Sequence, residues 1–155
     1  MLGKEHLHII SELRKDARQS LVDVIKQTNI PHSTIHQRVK EYEQNIIKKY
    51  SPLLDFKRIG FYNHCFLLIK IPQEYKEALK SHLLQHKNMN GVYRIDSGFD
   101  FLIECVFRDV GEQKDFIESL SRNFGVEAQK IDVLDPLLQE NFLTDLSMFA
   151  PQELI

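Results

Sequence analysis

The sequence predicts an α+β chain, with an N-terminal winged helix-turn-helix domain followed by a C-terminal ferredoxin-like βαββαβ domain. Three observations predict it. Apolar residues recur at helical spacing through the first part of the chain, up to Ile46. From about residue 60 they gather instead into continuous runs separated by helical stretches. The order of runs and stretches there is β-α-β-β-α-β, for which a split βαβ sheet is the economical arrangement.

The first helix is carried by Leu7, Ile9, Ile10 and Leu13 and ends at Lys15-Asp16. A second follows Ser20, with Leu21, Val22, Val24 and Ile25 apolar, and stops at Thr28-Asn29. Ile30-Pro31-His32-Ser33 reads as a third helix start, since proline is tolerated in a first turn. That helix turns Ile35, Val39, Tyr42 and Ile46 inward, and Ile46 to Tyr50 then becomes strand-like. In the second half, strands are expected over Cys65 to Ile71, Val92 to Ile95, Phe99 to Phe107 and Val126 to Leu134. The helices between them place Tyr75, Leu79 and Leu83 on one stripe, and Phe116, Leu120 and Phe124 on another. Gly91-Val92 and Gly125-Val126 repeat at the end of each helix, where glycine can supply the C-terminal turn. The expected domains are residues 1–52 (winged helix-turn-helix), 53–57 (connecting strand or linker), 58–137 (ferredoxin-like) and 138–155. The last segment, with Leu137 just before it, carries Leu138, Phe142, Leu143, Leu146 and Phe149, too apolar to stay free, and is expected to pack on a domain or a partner subunit or to complete the sheet.

With 155 residues, 43% hydrophobic and 27% charged, the chain is long enough for one ordinary core or two small ones. No apolar run reaches the roughly 20 residues of a membrane helix, and Met1-Leu2-Gly3-Lys4-Glu5-His6 lacks a secretion signal, so the cytoplasm is the expected compartment. Cys65 and Cys105 sit inside apolar runs as small hydrophobes, and neither they nor the scattered histidines have metal-site spacing. No metal and no cofactor is expected. The formal charge of −2 is unevenly divided: residues 1–55 hold nine Lys/Arg against seven Asp/Glu, and the remainder holds the acidic excess. Arg38, Lys40, Lys48 and Lys49 form the basic cluster of the first half, and clusters rather than totals neutralise phosphates.

In a helix-turn-helix the third helix lies in the major groove, so its outer face must be polar and reach base edges. With Ile35, Val39 and Tyr42 inward, Ser33, His36, Gln37 and Lys40 face outward, and Arg38 lies on the flank, suited to a phosphate. Gln can bond adenine in bidentate fashion, and Lys can donate to guanine acceptors. The competing reading is the solvated face of an ordinary surface helix.

The stretch from Ile30 to Glu43, with Arg38-Val39-Lys40-Glu41-Tyr42-Glu43 at its heart, then Ile46-Ile47-Lys48-Lys49-Tyr50 and Leu54-Asp55, resembles the Lrp/AsnC family of feast/famine regulators. Pro31 stands where the family usually has a cap serine, and Asn45 where it usually has glycine before Ile-Ile. The resemblance implies a transcriptional regulator that binds double-stranded DNA through Ser33, Thr34, His36, Gln37, Arg38, Lys40, Lys48 and Lys49. It implies a homodimer, assembling in some relatives to an octamer, and a small effector such as an amino acid. The family's effector signature falls on Asp96-Ser97-Gly98-Phe99-Asp100-Phe101, which points to Ser97, Gly98, Phe99 and Asp100, although Ser97 occupies the usual glycine position. A purely structural hairpin turn, with Gly98 at its bend and Asp100 capping it, competes with that role.

No catalytic residue is expected: Asp96 with Asp100, or His64 with Cys65, make weak pairs, because adjacent residues on a strand point to opposite faces. Two alternatives share the architecture. One is a sensor or scaffold that has lost DNA binding. The other is an enzyme resembling the siroheme decarboxylases, whose histidine after the wing is absent from Asp55-Phe56-Lys57.

Overall fold

The structure is a computed structural model that describes residues 3–154; the chain ends at Met1, Leu2 and Ile155 lie outside the described residues. Residues within Met1–Pro52 and Leu137–Ile155 form one compact unit, and Leu53–Pro136 form the other.

In the first unit, α1 spans Lys4–Lys15, α2 Leu21–Thr28 and α3 His32–Asn45. Ser20 caps α2 by accepting from the Asp23 amide at 3.2 Å, and Asn29 ends it in the left-handed region (φ 57°). The turn into α3 is anchored by buried Ile30, and Pro31, with φ already near the helical value, opens the next helix. Ile9, Val24, Ile30, Ile35 and Tyr42 make the core, with Val39 and Ile47 packed against it.

Two expectations at the end of α3 are corrected. Ile46 is 42% exposed, and Ile47 packs inward in its place. The reason is that the helix stops at Asn45 and the Ile47 amide reaches back to the Tyr42 carbonyl, which breaks the period. The strand-like reading of Ile46 to Tyr50 is not realised either, because among the described residues this unit supplies no second strand to pair with it.

The C-terminal segment belongs to this unit and does not complete the sheet. Arg14 on α1 donates to the carbonyls of Phe142 at 3.0 Å and Glu140 at 2.6 Å, and pairs with the Glu140 carboxylate at 3.3 Å. The buried Ser11 hydroxyl donates to the Thr144 carbonyl at 3.2 Å. Glu140 and Leu143 have positive φ (49° and 63°), a strained conformation that such anchoring sustains. Because carbonyls rather than side chains do much of the docking, Leu137 (92%) and Phe142 (71%) remain exposed.

The second unit is a four-stranded antiparallel sheet in the order β2-β3-β1-β4, with β1 Asn63–Lys70, β2 Met89–Arg94, β3 Phe101–Phe107 and β4 Glu127–Asp132. Helices α4 (Lys76–Gln85) and α5 (Val110–Phe124) supply Leu79, Leu83, Phe116 and Leu120 to a core shared with Cys65, Leu67, Ile69, Phe101, Ile103, Cys105 and Phe107. These strand positions alternate, so both helices cover one face. The other face carries His64, Phe66, Leu68, Leu102, Glu104 and Val106. Cys65 and Cys105 are free, buried and directly opposite one another.

The ferredoxin-like expectation holds in order and topology, and three details differ. Residues 53–57 form no strand; the chain there runs into a short 3-10 turn at Lys57–Ile59. Gly125 ends α5 in the left-handed region as expected (φ 63°), but Gly91 does not end α4. That helix stops earlier, and Gly91 lies within β2 beside a register shift, where a Cβ would come within 2.8 Å of the Tyr93 ring. The strand over Val92 to Ile95 accordingly begins sooner, at Met89. No helix among the described residues is long and apolar enough to cross a membrane.

Candidate nucleic-acid interface and effector turn

Helix α3 presents Ser33, His36, Gln37 and Lys40 as exposed side chains, with Thr34 half-buried beside them. The His32 and His36 rings stack along the first turns (centroids 6.2 Å, interplanar angle 17°). Gln37 donates to the Glu41 carboxylate at 3.3 Å, a weak contact between exposed side chains. Lys40, Lys48 and Lys49 form no ion pair among the described residues, so their ammonium groups are unneutralised.

The outward face is held from behind by polar contacts that sequence reasoning missed. Arg38 does not stand free on the flank: it is 23% exposed, pairs with Glu5 at 3.5 Å and contacts the His6 ring. His6 also meets the Tyr42 hydroxyl at 2.8 Å. One imidazole thus ties α1 to two successive turns of α3. Burial pushes the Tyr42 hydroxyl above the ordinary tyrosine range, although Arg38 opposes this. Beyond α3, the Tyr50 hydroxyl donates to Glu43 at 3.3 Å, bending the segment that bears Lys48 and Lys49 back beside the helix.

In the second unit, the candidate turn runs from Asp96 to Asp100. Gly98 has φ 88°, and a Cβ added there would meet nothing within 4 Å, so glycine is required for its backbone angle and not for a close approach. Asp100 is already engaged. One carboxylate oxygen accepts from the Ile71 amide at 2.9 Å, and the other pairs with Lys76 at 2.6 Å. Hydrogen bonding to Lys76 and to Ile71 holds this carboxyl below the usual aspartate range. Ser97 and Gly98 are exposed and Phe99 is half-buried. The turn is therefore stitched to the end of β1 and the start of α4.

His64 lies on the sheet face opposite Cys65 and meets Glu104 at 2.7 Å, so these neighbours do not act as a pair. Among the described residues no group of three or more His, Cys, Asp or Glu side chains could hold a metal ion.

A three-helix unit with an uncovered polar face on its third helix, joined to a ferredoxin-like sheet, has the architecture of a helix-turn-helix protein. Residues 6–45 match the winged helix-turn-helix DNA-binding family. The HTH-type transcriptional regulator FL11 of Pyrococcus abyssi is 27% identical over 120 residues, covering 77% of this chain and 80% of that protein. LrpC of Bacillus subtilis, an HTH-type transcriptional regulator, is 27% identical over 121 residues, covering 77% and 84%. A transcriptional regulator of Neisseria meningitidis, solved in complex with L-methionine, superposes with a TM-score of 0.83 at 18% identity, covering 96% of this chain and 99% of its own. The chain is a relative of the HTH-type transcriptional regulators and has the Lrp/AsnC fold.

Proposed function

We infer that this chain is a sequence-specific DNA-binding transcriptional regulator of the Lrp/AsnC type, reading base edges with Gln37, Lys40, Ser33 and His36. The observation that carries the reading is the outward face of α3, polar and uncovered over consecutive turns while its inner face is locked to α1. Lys48 and Lys49 contact phosphate, since a basic pair beside the helix meets the backbone rather than the bases. Arg38 acts as a brace for the helix. Thr34, half-buried near the helix start, takes a phosphate contact in this reading.

The working unit is a homodimer. In favour stands the helix-free sheet face, where Phe66, Leu68 and Leu102 neighbour the 46% exposed Ile131 and 52% exposed Tyr93. Two copies burying these residues would present two recognition helices to successive half-sites. An amino-acid effector at Ser97–Asp100 would have to use exposed backbone, because the Asp100 carboxylate is occupied by Ile71 and Lys76.

The test is a mobility-shift titration on the DNA upstream of the protein's own gene, with wild type, Gln37→Ala and Lys40→Ala. The reading predicts a specific complex that both variants weaken. Equal affinity for that DNA and for scrambled DNA would favour the sensor or scaffold alternative.

A further inference from the structure

A cavity of about 170 Å³ opens in the second unit where the loop before β1 meets the start of β2 and the end of β3. Its apolar walls include Phe56, Phe61, Met89 and Val106, and Lys87 and Asn90 stand among its lining residues. The loop side is preorganised: the Phe61 and Ile59 amides both donate to the Phe56 carbonyl, at 2.9 and 3.2 Å, and Gly60 supplies the left-handed bend between them (φ 89°). On the strand side, the buried Asn88 amide donates to the Val106 carbonyl at 2.7 Å, joining the edge of β2 to β3. These walls do not depend on a ligand for their shape.

Size and charge narrow the occupant. The volume of about 170 Å³ has room for a single six-membered ring or a branched aliphatic group, with the rest of the ligand at the open mouth. The charges at the rim are unequal. Lys87 is 80% exposed and pairs with Glu112 at 3.5 Å, a surface contact of little worth that a better partner can replace. Arg108 stands 6.0 Å from the centroid of the Phe61 ring. Glu112, which also accepts from the Arg108 amide at 2.8 Å, is not among the residues that line the cavity, whereas Lys87 is, so the charged group at the cavity wall is a cation.

We propose that this cavity is a binding site for a small carboxylate bearing one ring or branched apolar group, with the apolar part among Phe56, Phe61, Met89 and Val106 and the carboxylate at Lys87. The site is distinct from the Asp96–Asp100 turn. Met89 and Val106 lie at one end of the β2–β3 ladder, and Arg94 and Phe101 at the other, about 15 Å away at the rise of a strand. The proposal does not depend on the DNA-binding reading or on a ligand at the turn.

The experiment uses the full chain labelled with ¹³C on its methionine methyl groups and titrated with 3-phenylpropionate. Met89 reports on the cavity, and Met148, in the other unit, is the control. The expected result is a saturable shift of the Met89 methyl alone, with a dissociation constant on the order of millimolar or tighter for so few heavy atoms. Lys87→Ala, at an exposed position that does not threaten folding, should weaken 3-phenylpropionate about fivefold, the worth of one exposed charge contact, and leave uncharged 3-phenylpropanol unaffected. Asp100→Ala should leave the binding curve unchanged. Absence of a Met89 shift, or binding indifferent to Lys87→Ala, overturns the proposal. So does binding that disappears in Asp100→Ala while circular dichroism shows that variant folded, which would move the ligand to the turn. A Met89 shift that follows protein concentration and ignores the carboxylate also overturns it, assigning the cavity to a second copy of the chain.

Discussion

Replacing Asp100 by alanine separates a structural turn from a ligand-holding one. The substitution removes two acceptors at once. Ile71 is 6% exposed, so its amide, now bonded to Asp100 at 2.9 Å, would be left buried without a partner at a cost of about 1–3 kcal/mol. The pair with Lys76, whose side chain is 34% exposed, adds at most about 1 kcal/mol after solvent screening. The expected loss is about 2–3 kcal/mol in the second unit. Asp100→Asn keeps one acceptor for Ile71 and should lose roughly 1 kcal/mol. Both variants also lose a pH dependence that the wild type has. Because the folded Asp100 carboxyl titrates below the usual aspartate range, its contribution is complete above the unfolded value of about 3.9 and disappears as pH falls through the lower folded value. The gap between wild type and Asp100→Asn should therefore close below about pH 4. Amide exchange at Ile71, with urea denaturation of the full chain, measures both effects. Unchanged Ile71 protection in Asp100→Ala, with stability within about 0.5 kcal/mol of wild type, would refute the assignment of Asp100 to the turn.

Further outcomes follow from the first unit. Gln37→Ala and Lys40→Ala should each cost about 1–3 kcal/mol of operator discrimination with circular dichroism unchanged; operator affinity equal to wild type in both would remove α3 from the groove. Lys48→Ala or Lys49→Ala should weaken all DNA sequences alike and reduce the salt slope by about one for each phosphate no longer neutralised, and a sequence-selective decrease at constant slope would contradict it. Arg38→Ala should lower stability by about 1–2 kcal/mol, because Glu5 and His6 then have no partner on α3 at that turn; a variant as stable as wild type with an altered salt slope would return Arg38 to the phosphates. Arg14→Ala, which frees the carbonyls of Glu140 and Phe142, should speed proteolytic cleavage after Pro136, and an unchanged digestion time course would show that Arg14 does not hold the segment.

The sequence by itself determined the three helices of the first unit and the order of strands and helices in the second, because the signals for these are local. Ser20 before α2, Asn29 after it, Asp109 before α5 and Gly125 after it each act on backbone groups within a few residues, and the apolar period or run shows in a short window. The polar face of α3 was legible for the same reason: once Ile35 and Tyr42 point inward, the helical turn dictates where Gln37 and Lys40 go. Tertiary structure alone decided what depends on partners distant in the chain. Arg38 sits on the flank by period, yet its long side chain follows Glu5 and His6. Asp100 could serve a ligand or the fold until Ile71 and Lys76 are seen to occupy it. The cavity draws its walls from three separate stretches, none with a pattern of its own. The C-terminal segment was read from its leucines and phenylalanines, but Arg14 recognises its main-chain carbonyls. Every residue carries a carbonyl, so a contact made to the backbone leaves no mark in the residue types that a sequence records.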